Sequence, residues 1–217
     1  MAASLRLNLD PDAPAYWQEA CEALALQSPV WVELLARHSD RALRSRGAPY
    51  ETMLRSLVGQ QISVKAADAV WARVVDALNG KITSRALLAL SDDTLKATGL
   101  SRQKIAYSRA LSEFEQQGGL ELAVLEGMDD EACTRHLCAI KGVGRWTAQM
   151  FLMFCLRRPD VWPVDDIGVQ RGISRQFFEG EPIGPKEALQ FGEKLKPWRT
   201  VAAWYLWRSL DPAVVDY

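Results

Sequence analysis

The sequence contains no stretch long enough to cross a bilayer. Its longest apolar run is seven residues, as in Met150–Leu156, where a membrane helix needs about 20. Cysteine is scarce: Cys21, Cys133, Cys138 and Cys155 are the only four, none in C-x-x-C spacing and none after Cys155. That spacing suits neither a zinc site nor an iron–sulfur cluster and reads as free thiols in a reducing cytoplasm. Excess charge is missing too, since 26 Lys and Arg stand against 27 Asp and Glu for a net −1. This argues against a strongly basic nucleic-acid binder and leaves room only for a local patch. Lys141, Arg145, Lys194, Lys196, Arg199 and Arg208 are the candidates for such a patch, with Arg55 and Lys65 around a second motif. The opening M-A-A-S-L-R-L-N-L-D-P-D has no apolar h-region, so no secretory signal is expected, and residues 1–13 read as a polar arm. No β alternation persists and no repeat or low-complexity tract appears, which makes the expected class all-α.

What is present is helical periodicity. At 217 residues and 48% hydrophobic content the chain has ample material for a core. From Ala15, Trp17, Ala20, Cys21 and Leu24 recur at helical spacing. Ser28-Pro29 reads as an N-cap with proline at the first helical position, opening Val30–Arg37, and Arg41–Pro49 as a connection. Further helices are expected at Tyr50–Val58, Val64–Leu78 behind Ser63, Ser84–Ala89 and Ser91–Ala97 each opened by serine, Arg102–Gln116 and Leu120–Leu125.

The most informative stretch is Leu137–Met150, L-C-A-I-K-G-V-G-R-W-T-A-Q-M. A polar helical segment, Asp129–His136, precedes it and the apolar run follows. Gly142-Val143-Gly144 between them reads as a tight hairpin, because two glycines are costly inside a helix and permissive in a turn. Gly144 opens a helix whose first N–H groups have no internal partner and lie at the positive end of the helix dipole. With Lys141 and Arg145 alongside, this makes an anion site fit for a DNA phosphate. A bare G-x-G is more often a structural turn. The longer pattern L-x-x-I-x-G-V-G-x-x-T-A resembles the helix–hairpin–helix superfamily of base-excision DNA glycosylases, and within it the 3-methyladenine DNA glycosylase II branch.

The resemblance covers about residues 50–210. It implies a two-lobed helical body in a single domain over residues 1–217, with no N-terminal β domain. One lobe is expected over about 65–150 and the other over about 15–64 plus 151–217, with a cleft between them. V-G-Q-Q-I-S-V-K-A-A matches the place where relatives push a side chain into the duplex, which makes Gln60 and Gln61 DNA-contact candidates and Gln61 the candidate wedge. The resemblance extends DNA contact to Lys141, Gly142, Val143, Gly144, Arg145 and Thr147.

The resemblance also implies a catalytic aspartate about twenty residues after the hairpin, in a P-x-D setting at a helix start. Pro163-Val164-Asp165 matches, with Asp165 21 residues after Gly144. Asp166 is the adjacent rival. A one-residue shift swings a side chain by about 100°, so only one of the two can face a given pocket. Asp165 is the expected catalyst, and Asp166 is expected to cap the helix or face solvent. A carboxylate there would stabilise the oxocarbenium-like transition state of glycosidic C–N cleavage and orient water.

Bifunctional relatives carry a lysine nucleophile two residues past the second glycine; this chain has Trp146 there, which cannot form a Schiff base. Monofunctional release of the base is therefore expected. An indole face attracts a cationic, alkylated purine, and the resemblance puts Trp146, Met150 and Trp207 in the base pocket. Trp198 reads as core packing on the helix that carries Asp165. The resemblance further implies a monovalent cation, Na+ or K+, on the backbone carbonyls of Cys138, Ile140 and Val143, no iron–sulfur cluster, and no required cofactor. The expected partner is double-stranded DNA with alkylated bases, bound by a monomer in a bacterial cytoplasm, with no membrane. Two other readings stay open: a helix–hairpin–helix DNA-binding module without catalysis, and a glycosylase for oxidised or mismatched bases.

Overall fold

The structure, a computed structural model, describes residues 12–44 and 47–210. Most of the expected N-terminal arm lies outside the described residues. Among these residues the chain is all helical, without strands. The order is α1 (Trp17–Ala25), α2 (Pro29–Arg37), α3 (Pro49–Gly59), α4 (Val64–Ala77), α5 (Ser84–Ala89), α6 (Asp92–Ala97), α7 (Arg102–Gln116), α8 (Leu122–Glu126), α9 (Asp130–Leu137), α10 (Arg145–Phe154), α11 (Ile167–Phe177), α12 (Pro185–Glu193) and α13 (Arg199–Leu210). No helix among the described residues is long and apolar enough to cross a membrane.

Helix starts follow the local chemistry. The side chains of Ser63, Ser91, Ser101 and Asp129 each accept a backbone N–H three residues on, which satisfies a donor the helix leaves orphaned. Two expected caps differ. The cap of α5 is Thr83, whose hydroxyl accepts from Ala86 N, while Ser84 is buried beside Glu115. Ser28 stands at the N-cap of α2 with proline after it, yet its hydroxyl makes no capping bond; the Trp31 amide is taken by the Ser28 carbonyl instead.

The chain divides into two compact units, one comprising described residues 12–44 and 152–210, the other 47–151. Residues 47–64 thus belong with the hairpin-bearing unit, not with the chain ends as the resemblance had suggested. The reason is packing. α3 lies against α4 and α7, its Tyr50 hydroxyl is 2.7 Å from Ser112 Oγ, and Met53, Leu54 and Leu57 are fully buried.

In the unit of the chain ends, α13 is the centre. Thr200 through Ser209 are all buried, as expected for a helix covered on every side. Trp204 meets Trp17 edge to face at 5.3 Å. α11 crosses α13 at Gly172, where an added Cβ would lie 2.8 Å from Leu206 Cβ and 2.9 Å from its carbonyl oxygen. Trp198, half-buried, stacks on Tyr16 at 5.9 Å.

Candidate functional site

In the first unit the segment before α11 is pinned from several sides. Arg199 donates from Nε to Asp160 Oδ1 at 2.7 Å and from Nη2 to Oδ2 at 2.9 Å. Thr200 Oγ1 donates to the Arg158 carbonyl at 2.6 Å and accepts from Val161 N at 3.0 Å. Trp162 is buried against Gly192 and donates from Nε1 to the Ala188 carbonyl at 2.9 Å. Gln170 donates to the Val164 carbonyl at 2.7 Å.

This clamp delivers two aspartates with different surroundings. Asp165 is exposed. Asp166 is half-buried and caps α11: its Oδ1 accepts Val169 N at 2.8 Å and Trp207 Nε1 at 2.8 Å. The capping role expected of Asp166 is present, and the carboxylate beside the aromatic residue is therefore Asp166, not Asp165. Trp207 is only 7% exposed and stacks on Phe154 at 6.2 Å. Gly168 makes the approach possible, since a Cβ there would come within 2.8 Å of Trp207 Cδ1 and 3.0 Å of Asp166 Oδ1. Neither the Trp207 contact nor the part of Gly168 had a local signal, because the partners are 41 residues apart.

In the second unit the hairpin connects α9 to α10. The two glycines serve different ends. Gly142 has φ +92°, and a side chain there would run into the Tyr107 ring. Gly144 has no such internal reason: its φ is not left-handed, and a Cβ would meet nothing within 4 Å. Its carbonyl accepts from Ala148 N at 3.0 Å, so it stands at the head of α10 and its bare surface faces open space. Lys141 and Arg145 are exposed. Arg145 makes a bidentate pair with Glu131, at 3.0 and 2.7 Å, which holds the Glu131 carboxyl below its ordinary range.

Several expected DNA contacts face inward. Val143 and Thr147 are buried at 5% exposure. The Gln60 amide donates to the Gly142 carbonyl at 3.0 Å and to Thr147 Oγ1 at 3.2 Å. Gln61 is exposed, with φ +60°, a left-handed setting that costs an ordinary residue about 1–2 kcal/mol. Of the expected pocket residues on α10, Trp146 is 40% exposed and Met150, one turn on, is buried. The supposed basic patch is largely spent: Arg208 is buried over Trp204, Arg199 is held by Asp160 and Lys196 pairs with Glu193 at 2.8 Å.

The profile of the HhH-GPD superfamily base excision DNA repair proteins matches residues 54–197. The chain belongs to this superfamily. DNA-3-methyladenine glycosylase 1 of Schizosaccharomyces pombe is 31% identical over 183 residues, 82% of this chain and 79% of that protein. A DNA-3-methyladenine glycosidase from Bacillus halodurans has the same fold, with a TM-score of 0.81 at 34% identity over 91% of this chain and 92% of that one. A Schizosaccharomyces pombe 3-methyladenine DNA glycosylase in complex with abasic DNA gives 0.78 at 29% identity, over 92% of this chain and 98% of that one.

All four cysteines of this HhH-GPD chain are free, and the described residues hold no cluster of three or more His, Cys, Asp or Glu able to take a metal. At the hairpin the donors on offer for an ion are carbonyls, which suit a hard cation. The Ile140 carbonyl accepts Val143 N at 3.0 Å and, like any carbonyl oxygen, has a second lone pair.

Proposed function

We propose that this chain is a monofunctional DNA glycosylase that releases alkylated, cationic purines such as 3-methyladenine and 7-methylguanine from duplex DNA. It acts as a monomer, extrudes the nucleotide, hydrolyses the N-glycosidic bond and leaves an abasic site. The observation that carries the reading is a carboxylate held by an indole, Asp166 on Trp207, in a chain whose relatives bear the name 3-methyladenine glycosylase. A mere DNA-binding module has no use for that pair.

The chemistry asks little of the protein beyond charge and placement. Departure of the base builds positive charge on the deoxyribose, and a fixed carboxylate lowers that barrier electrostatically. An alkylated purine already carries positive charge, so no second acid is needed. Asp166 takes this part in place of Asp165, because the clamp and the Trp207 bond fix its orientation in advance. Trp146 and Trp207 offer aromatic surface that favours a cationic base. Extrusion costs a few kcal/mol and less for a weakly paired lesion. Trp146 supplies no amine where lyases carry lysine, so the strand stays intact.

Grip on the DNA falls to the head of α10. Gly144, Lys141 and the first amides of the helix take a phosphate without reading sequence. A monovalent cation would be held by the carbonyls of Cys138, Ile140 and Val143, where it would add positive charge facing the phosphate. The test is release of free base from methylated duplex DNA by wild type, Asp166→Asn and Asp165→Asn. Release that is lost only in Asp166→Asn, with DNA binding intact, supports the reading. Binding without any release by the wild type points to the non-catalytic module.

A further inference from the structure

The hairpin and the Gln60-Gln61 loop are joined by contacts that neither motif predicts. Gln60 uses its amide nitrogen inside the unit, on the Gly142 carbonyl at 3.0 Å and on Thr147 Oγ1 at 3.2 Å. These two acceptors belong to the hairpin and to the first turn of α10. From the other side, Lys104 on α7 donates to the Val58 carbonyl at 2.7 Å, at the last turn of α3 just ahead of the loop. Burial lowers the Lys104 pKa from its ordinary value, so the ammonium is partly desolvated at this bond. One turn along α7, Tyr107 presses its ring against Gly142 of the hairpin, and Gln103 donates to the Tyr107 hydroxyl.

The start of α7 therefore touches both surface elements, and Gln60 closes the triangle between them. At its edge Gln61 stands exposed at φ +60°. Such a conformation persists when its surroundings over-determine it, and the anchors at Val58 and Gln60, just ahead of Gln61, do so here. We propose that Gln60, Lys104 and Tyr107 are positioning residues that brace the Gln61 loop to the hairpin. The phosphate grip and the probing of the base stack then act as one rigid piece. This rests on the reading of the chain as a DNA glycosylase.

A brace predicts a selective defect. The phosphate grip alone serves undamaged duplex, whereas insertion beside a lesion needs the loop held at a set distance from that grip. The experiment compares wild type with Gln60→Ala on an undamaged duplex and on one carrying a tetrahydrofuran abasic analogue with 2-aminopurine beside it. Kd for the undamaged duplex is expected to stay within about twofold. Preference for the analogue is expected to fall about tenfold, as suits two lost hydrogen bonds, with a smaller 2-aminopurine rise. Lys104→Met should reproduce the loss and Lys104→Arg, which keeps a charged donor, should restore it. This pair decides the matter if Gln60→Ala lowers the melting temperature. Equal losses on both duplexes, or an unchanged preference in Gln60→Ala and Lys104→Met, would overturn the brace. Wild type that fails to prefer the analogue and releases no alkylated base brings down the glycosylase reading and the brace together. Wild-type preference with unchanged variants brings down the brace alone.

Discussion

Trp207 Nε1 and Asp166 Oδ1 are 2.8 Å apart across 41 residues of chain. The indole N–H is a donor only, and its partner is an acceptor at the N-cap of another helix. The pair joins α13 to the head of α11 and gives the carboxylate one orientation. Trp207→Phe keeps a ring to stack on Phe154 but removes the donor. Base release is expected to fall about tenfold, the worth of one hydrogen bond to a charged group. Gly168→Ala, whose Cβ would crowd both partners, should give a similar loss without altering either one. Single-turnover release, with the melting temperature measured beside it, checks both.

Asp166→Asn is expected to lower single-turnover release by about 100-fold or more, the scale on which a preorganised charge acts. Asp165→Asn, at an exposed position, should stay within about threefold. The reverse order would return the chemistry to Asp165.

The hairpin glycines should separate stability from binding. Gly142→Ala meets a left-handed backbone and the Tyr107 ring, so a loss of about 1–3 kcal/mol is expected in denaturant melts. Gly144→Ala meets nothing within 4 Å and should melt like wild type while binding duplex DNA at least about fivefold more weakly, since each tenfold is about 1.4 kcal/mol. Equal binding by Gly144→Ala would remove the phosphate from the head of α10.

The Arg199–Asp160 clamp, with side chains 18% and 26% exposed, should matter to the fold. Asp160→Asn is expected to cost about 1.5–3 kcal/mol. In a chain of this length that lowers the melting temperature by about 2–4 °C per kcal/mol.

Acid should weaken the protein through His38. Burial first, then the charges of Arg208 and Arg37 with Arg41, lower its pKa against the opposing Asp40. The unfolded chain therefore binds a proton at His38 more readily than the folded one. The neutral imidazole's contribution is complete above the unfolded pKa of about 6.5 and is lost as pH falls toward the folded value. His38→Gln should shrink the drop in melting temperature between neutral pH and mild acid. An unchanged drop would assign the acid sensitivity to other groups.

Local chemistry was enough to determine most of the helices. Ser63 and Ser91 cap where the sequence places them, because a cap involves residues three apart. The G-V-G turn and the all-helical class were legible for the same reason, and so was the family, since its motifs are short and ordered along the chain. What lies far apart in sequence was not legible. Only the tertiary structure decided that α3 sits with the hairpin, that Trp198 stacks on Tyr16, and that Gln60 and Thr147 bond to each other rather than face outward. It also gave neighbouring aspartates different surroundings. Asp165 and Asp166 are alike as letters, but α13 offers an indole N–H to only one of them. Capping and turn energies are paid within a few residues, whereas the choice of a site's partners depends on which faces of distant helices are buried against each other.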